Sequence, residues 1–497
     1  MARRGRTLGE LATMVGGEVR AGPGTPVIDV THDSRLVQPG WLYVAIRGSR
    51  VDGHAFVGDA LAAGASAVCV EQTTGHDDVP QLLVADTRAA LGPLSAAVHD
   101  NPSQTVDVVG VTGTNGKTTV THYVESIVAD SGLRTGLIGT IHSRIGEETL
   151  PAGLTTPEAS DFQRLLARMR DEGVSLVAVE VSSHALELGR VRGTRFAVAA
   201  FTNISQDHLD FHGDMSSYRA AKQSLFADYE VGTAVVNVDD PVGVDIAAGF
   251  AGTLLKVGEK GDIRVSRLER LSTGTRFSLG TPWGSTEVTA PVVGDFNVAN
   301  LAMAAACALA VGVSFDEVVG NMARVRGVPG RFEIVSGDDQ IVVVVDYAHT
   351  PEGVARVVAA GREMTAGRVI GLIGAGGDRD RRKRPAMGAA ISGADLSFIT
   401  SDNPRSEDPA DIVAAVASGL VPGADHVIEV DRRTAIAQAI DAANDGDVVL
   451  ILGRGHETHQ QVGDERLEFD DRLVAAECLA RRRSSADLGG ASGRMLS

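Results

Sequence analysis

Apolar residues along this chain fall into two alternating patterns. Short runs bounded by Gly, Pro, Asp or Asn predict buried strands: "WLYVAI" (41–46), "ASAVCVEQ" (65–72), "VDVVGV" (106–111), "VSLVAVEV" (174–181), "QIVVVVD" (340–346), "RVIGLIG" (368–374), "ADLSFIT" (394–400) and "DVVLILG" (447–453). Between them, apolar positions return every three or four residues and predict helices, as in "HAFVGDALAAG" (54–64), "SSYRAAKQSLF" (216–226) and the stretch ending at Met364. One helix carries its own start signal, with Thr156 in the capping place, Pro157 in the first turn, and Phe162, Leu165, Leu166 and Met169 at helical spacing. The Ala-rich "LAMAAACALAVGV" (301–313) is short of the ~20 residues that span a bilayer and reads as a buried helix.

Two punctuated stretches, "HDNPSQT" (99–105) and "RVRGVPGRFE" (324–333), read as linkers. They divide the chain into a small α/β unit (1–101), a central unit (102–329) whose strands and helices alternate as a parallel sheet requires, and a last unit (330–480) of successive strand, loop and helix, a Rossmann-like open sheet. The expected class is therefore α/β in three domains. The tail, 481–497, has no apolar period and is expected to be disordered.

Length and charge narrow this further. At 497 residues the chain has room for two to four domains with full cores. Lys and Arg number 46 against 64 Asp and Glu, a net −18, which argues against nucleic-acid or anionic-membrane partners. Anionic ligands must then be held by local cations, metal ions or backbone N–H groups. Cys69, Cys307 and Cys478 form no C-x-x-C pair, so neither a zinc site nor a disulfide framework is suggested. The basic N-terminus lacks an apolar signal core, and a reducing cytosol fits.

The strand 106–111 runs into "TGTNGKTT" (112–119) and then a helix. Backbone N–H groups of Gly113, Thr114, Asn115, Gly116 and Thr119 can converge there on phosphate oxygens. Lys117 can reach the β/γ-phosphates, and the Thr118 hydroxyl can ligate Mg²⁺. The general phosphate-loop pattern places a Gly at 111, where this chain has Val111. In its actual spacing the loop resembles that of the Mur ligase family, ATP-dependent amide-bond ligases of cell-wall precursor synthesis, which share it with folylpolyglutamate synthetases. "EVSSHALELGR" (180–190), "FTNISQDHLDFHG" (201–213), "YRAAKQSLF" (218–226), "GDFNVANLAMAAA", "GRFE", "DYAHTP", "GGDRD", "DNPR" and "GRGHE" extend the resemblance over about 33–457. They match the members that add the third residue of the stem peptide.

What the resemblance implies is specific. The reactants would be ATP, UDP-N-acetylmuramoyl-L-Ala-D-Glu and meso-2,6-diaminopimelate, joined through an acyl phosphate by a monomer using two Mg²⁺ ions. Glu180 and Thr118 would hold one Mg²⁺; His208 and Lys222, the latter as a CO₂-derived carbamate, would hold the second. An ammonium about 4 Å from a divalent ion would be repelled by roughly 8 kcal/mol at an effective dielectric near 20, and the carbamate reverses that sign. Asn300 would lie near the adenine, Arg331 on the phosphates, Asp346 on the ribose and His349 close by. Ser34, Ser49, Arg50, Thr155, Thr156, Ser182 and Arg190 would meet the UDP-sugar peptide; Leu188 replaces a Gln common there. Arg379, Asp402, Asn403, Pro404, Arg405, Gly453 and Glu457 would receive the amino acid, and the "DNPR" form goes with diaminopimelate.

Other readings stay open on residues alone. L-lysine or another diamino acid is one, and a folylpolyglutamate synthetase-like ligase is another, although its phosphate loop lies near the N-terminus. A nucleotide switch would want N-K-x-D, which is absent. A dinucleotide oxidoreductase would want G-x-G-x-x-G, and "GLIGAGGDRD" departs from it.

Overall fold

The structure is a computed structural model that describes residues 5–48, 51–76, 78–151, 153–271, 274–337 and 339–493. Three sheets, each confined to one stretch of the chain, carry the architecture. The first has five strands in the order Glu18–Arg20, Gln81–Leu83, Ala67–Val70, Trp41–Val44, Asp29–Thr31, parallel except at Glu18–Arg20. Helix Thr87–Val98 closes this unit and packs its Ala90, Leu91, Leu94 and Ala97 onto the sheet.

The second sheet has eight strands. Its six parallel members run in the order Thr135–Ile138, Leu176–Glu180, Asp107–Thr112, Phe196–Phe201, Val231–Asn237, Thr253–Val257, and His142–Ile145 with Glu148–Pro151 extend it as an antiparallel edge. These central strands are Val- and Ala-rich because helices cover both faces, leaving no solvated side to alternate toward. Helices Lys117–Ala129 and Asp295–Ala310 lie together on one face, the second almost wholly buried as its apolar run predicts. Beside it stands an antiparallel sheet, Arg264–Leu271, Gly274–Thr281 and Gly284–Ala290, outside the expected parallel pattern; the first strand is mostly exposed and charged, while Phe277, Leu279, Val288 and Ala290 of the other two join the core.

The third sheet is ordered Glu333–Ile334, Val342–Asp346, Val448–Leu452, Val369–Ile373, Leu396–Ile399, His426–Ile428 and is parallel after its first strand. Two sequence expectations are corrected. Thr156 does not cap: the helix runs Ala159–Asp171 from Glu158, and the Thr156 hydroxyl donates to Glu180 O at 2.7 Å instead. The tail does not lose structure at 481: the last helix, Asp471–Gly493, runs on to 493, and 494–497 lie outside the described residues.

Candidate active site

The strand Asp107–Thr112 feeds the helix Lys117–Ala129 through the Gly-rich loop, and Gly116 caps the helix at φ 86°. A Cβ at Gly116 would sit 2.5 Å from Asn300 Oδ1, so the glycine is what lets the helix Asp295–Ala310 bring Asn300 against the loop. Lys117 Nζ donates to Gly113 O (2.8 Å) and Thr114 O (2.9 Å), and burial lowers its pKa. The neighbouring strand end braces the loop: Asn115 N donates to Asn203 Oδ1 at 3.0 Å, and Thr202 Oγ1 donates to Asn115 O at 2.6 Å.

Thr118 Oγ1 donates to Glu180 Oε2 at 2.8 Å. Glu180, fully buried at the end of its strand, also accepts from Thr140 N at 2.7 Å. Arg331 Nη2 reaches Thr118 Oγ1 at 3.0 Å while its guanidinium lies 4.2 Å from the Tyr347 ring centre. Its Nη1 is buried without a protein partner, a donor suited to a phosphate oxygen. Among the described residues no group of three or more His, Cys, Asp or Glu is placed to hold a metal. A Mg²⁺ here would take oxygens from Thr118 and Glu180 and complete its shell with phosphate and water, which is Mg²⁺'s usual habit.

Lys222, on helix Met215–Ala227, is 1% exposed, donates to Gly113 O at 2.8 Å and lies 4.5 Å from the Tyr218 ring centre. Burial, and after it the Lys117 charge, hold its pKa well below the usual lysine value. His208 has a left-handed backbone (φ 54°) and its Nε2 is 3.4 Å from Asp207 Oδ2; burial lowers its pKa to about 3. Besides His208, two further groups meet the Asp207 carboxylate, Lys383 Nζ at 3.1 Å and His349 Nε2 at 3.4 Å. Burial alone would raise the Asp207 pKa, but the hydrogen bond from His349 and the Lys383 charge carry it well below normal.

Asp346 ends its strand buried, accepting from Phe332 N and Ala348 N at 2.6 Å each, and burial raises its pKa. Opposite, Asn403 Nδ2 donates to Glu457 Oε2 at 2.6 Å, and burial together with the Asp402 charge raises the Glu457 pKa. Arg405, at φ 52°, donates from Nη1 to Gly377 O at 2.6 Å.

One cleft of about 520 Å³ collects Thr114 to Thr119, Thr155, Glu180, Ser182, His208, Lys222, Asn300, Arg331, Asp346, His349, Arg379, Asp402, Asn403, Arg405, Gly453 and Glu457. Carboxylates outnumber ammonium and guanidinium groups along its wall. Gly113, Thr156, Ser34, Arg190 and Pro404 do not line it. Arg190 is held by Glu158 (3.0 Å) and Thr156 O (3.3 Å), and Ser34 opens a short 3₁₀ turn in the first unit. Ser49 and Arg50 lie outside the described residues.

Comparison with known proteins decides what this cleft belongs to. Residues 27–99 match the Mur ligase family catalytic domain, 111–308 the Mur ligase middle domain, and 330–455 the Mur ligase glutamate ligase domain. The chain is 44% identical over 483 residues to the UDP-N-acetylmuramoyl-L-alanyl-D-glutamate--2,6-diaminopimelate ligase of Gloeobacter violaceus, covering 96% of this chain and 99% of that one. The chain belongs to the Mur ligase family. The enzyme of the same name from Geobacillus kaustophilus is 43% identical over 485 residues, 95% of this chain and 99% of the relative. A solved structure of such a ligase is 31% identical with TM-score 0.70, covering 96% of this chain and 99% of that one.

As a Mur ligase, the chain is an ATP-dependent enzyme of peptidoglycan synthesis that joins an acid to an amine. Among the described residues of this ligase, no helix is long and apolar enough to cross a membrane. Sequence reading passed over Asp207, Lys383, Asn203 and Thr202. Asp207 stood beside His208 in "QDHLDFH", yet its partners Lys383, at the start of a helix, and His349, in a loop, come from the last unit, 176 residues away in the case of Lys383.

Proposed function

We propose that the enzyme adds 2,6-diaminopimelate to the D-glutamate of UDP-N-acetylmuramoyl-L-alanyl-D-glutamate through an acyl phosphate. The observation that carries this reading is the pairing, in one cleft, of a triphosphate-binding rim with a rim bearing both guanidinium groups, Arg379 and Arg405, and carboxylates, Asp402 and Glu457. A zwitterion with two amino-acid ends suits such a rim. The arginines grip one carboxylate, and Glu457, its pKa raised by burial and by Asp402, is relieved by an ammonium.

On the other rim the loop N–H groups, Lys117 and Arg331 orient ATP. The D-glutamate carboxylate attacks the γ-phosphorus, ADP leaves, and the amine then attacks the acyl carbon, expelling phosphate. Negative charge gathers at each step, so preorganised donors supply most of the acceleration. Magnesium ions would screen the phosphates and carboxylate from each other in a cleft that itself has an excess of carboxylates. Thr118 and Glu180 suit one ion; His208 and Lys222 suit a second once Lys222 is a carbamate. The lowered Lys222 pKa favours that modification: the neutral amine's lone pair bonds to the carbon of CO₂ and a proton is released. The first unit, with Ser34, Ser49 and Arg50, is assigned to the UDP end, with Thr155, Thr156, Ser182 and Arg190 continuing toward the peptide.

Lysine lacks the second carboxylate. Leaving an arginine unpaired costs about 3 kcal/mol, roughly a hundredfold in kcat/KM. Phosphate release is to be measured with saturating ATP and UDP-dipeptide and either amino acid. The expected result is release that requires all three reactants and favours diaminopimelate about a hundredfold; equal or better turnover of lysine would remove the amino-acid assignment.

A further inference from the structure

Behind the amino-acid rim lies a side-chain network that touches none of the assigned ligand contacts directly. The loops 374–380 and 402–407 descend from neighbouring parallel strands, Val369–Ile373 and Leu396–Ile399. They approach so closely that a Cβ at Gly377 would fall 1.9 Å from Pro404 O, so backbone meets backbone at this point. Gly377 N donates to Asn403 O at 2.9 Å, and Arg405 Nη1 returns to Gly377 O at 2.6 Å.

What fixes this meeting is Glu407. Arg384, 3% exposed on helix Lys383–Ile391, grips it with two parallel bonds, Nη1 to Oε2 at 3.0 Å and Nη2 to Oε1 at 2.8 Å. Oε1 of Glu407 also accepts from Asp378 N at 2.7 Å, in the facing loop. Asp378 answers through its own carboxylate, taking Ser406 Oγ at 2.7 Å and Ser406 N at 3.2 Å. The hydrogen bonds from Arg384 hold the Glu407 pKa down at about 2, so the clamp stays ionised at any physiological pH.

Both loops pass through left-handed backbone at non-glycine residues, Asp378 (φ 51°) and Arg405 (φ 52°). Such a conformation is unfavourable for a residue with a side chain and persists only where surroundings over-determine it. For Arg405 the other constraint is the hairpin His459–Val462 with Glu465–Glu468: Arg405 N donates to Gln461 O at 3.1 Å, and Gly463 N to Arg405 O at 2.7 Å. The carboxylate-gripping arginines, 379 and 405, thus each sit next to a residue of the clamp or within one of its strained turns.

We propose that Glu407 and Arg384 are positioning residues for amino-acid recognition: by tying the two loops into one rigid unit they set the spacing of Arg379 and Arg405, and so the affinity and selectivity for the second carboxylate. This rests on the amino-acid rim assigned above. Glu407 and Arg384 lie outside the phosphate-binding rim, so the clamp acts on one substrate of three.

Steady-state kinetics on Glu407→Gln, which keeps shape and removes the charge, tests it, with each substrate varied in turn. The expected result is a rise of ten-fold or more in KM for the amino acid and a matching fall in diaminopimelate-over-lysine preference. KM for ATP and for the UDP-dipeptide should stay within about twofold, and Arg384→Lys, which keeps the charge without the fork, should fall between native and Glu407→Gln. A KM for the amino acid equal to the native one, or three KM values rising together, overturns the clamp. Ser406→Ala, which removes one hydroxyl bond only, serves if Glu407→Gln does not fold, with a smaller rise in the same KM and no other. Should the native enzyme prefer a different amino acid, the rim assignment falls while the clamp is still read on the KM of the amino acid it uses.

Discussion

At the scale of single residues, Lys222 is the sharpest case of environment deciding chemistry. Exposed on a helix it would be a solvated cation; here it is sealed against Gly113 O and the Tyr218 ring with Lys117 as its charged neighbour. Two lysine nitrogens share one carbonyl, since Lys117 donates to Gly113 O as well. Lys222→Ala is expected to lower kcat by roughly a hundredfold or more, the scale of losing one preorganised electrostatic group, with partial recovery on adding small carboxylates. A variant as active as the native enzyme would end the carbamate reading. The loop that holds phosphate was legible in the sequence because its residues are contiguous and their spacing is a backbone geometry. Asp207 was not, because its role comes from Lys383 and His349, which only folding brings within 3.4 Å.

Among the elements, the joint between the first and central units rests on Asp29 at the start of an edge strand. It accepts from His99 Nε2 at 3.1 Å and Arg164 Nε at 2.8 Å, and the Arg164 guanidinium in turn lies 4.9 Å from the Trp41 ring centre. Burial pushes the Asp29 pKa up, but the bonds from His99 and Arg164 outweigh it and bring the group to about 2, against an unperturbed 3.8. A carboxyl depressed in the folded state stabilises above its unfolded pKa and loses that contribution as pH falls toward the folded value. The shift corresponds to about 2 kcal/mol at neutral pH. Asp29→Asn should therefore melt earlier than the native enzyme at pH 7 by that equivalent, and the gap should narrow as pH drops from about 4 toward 2; a gap independent of pH would refute it. Strands and helices with strong apolar periods were readable from the chain alone. Thr156 was misread because a hydroxyl next to a helix start satisfies a local rule, while the buried carbonyl of Glu180 offered it a non-local partner. The antiparallel strands between 264 and 290 escaped notice because the first is mostly exposed and charged, and the other two bury only isolated apolar residues, Phe277, Leu279, Val288 and Ala290, among Gly, Ser and Thr.

For the whole molecule, the relation between the last unit and the centre was not legible at all, since it depends on isolated polar contacts. Lys383 reaches Asp207, Gln206 Nε2 donates to Asp380 Oδ2 at 3.3 Å, and Arg331 touches Thr118. Lys383, 7% exposed, is the buried cation of that seam. Removing it leaves a buried carboxylate poorly compensated, at a cost on the order of 3 kcal/mol. Lys383→Met is expected to loosen the seating of the last unit, seen as a larger radius of gyration by X-ray scattering without ligands and a return to the native value with ATP and UDP-dipeptide. Identical scattering curves for variant and native protein would show that the seam does not depend on this pair.

The two large parallel sheets turn the same ends of their strands toward one cleft, one ending in Thr112 and Glu180, the other in Asp346 and Ile399. The loop that grips phosphate and the loops that choose the cargo thereby stand on opposite banks, with Arg331 and Asp346 lent to the nucleotide from the cargo side. A descendant enzyme can change what it attaches by redrafting residues 374–407 and 453–463, while the bank that spends the nucleotide keeps its wording.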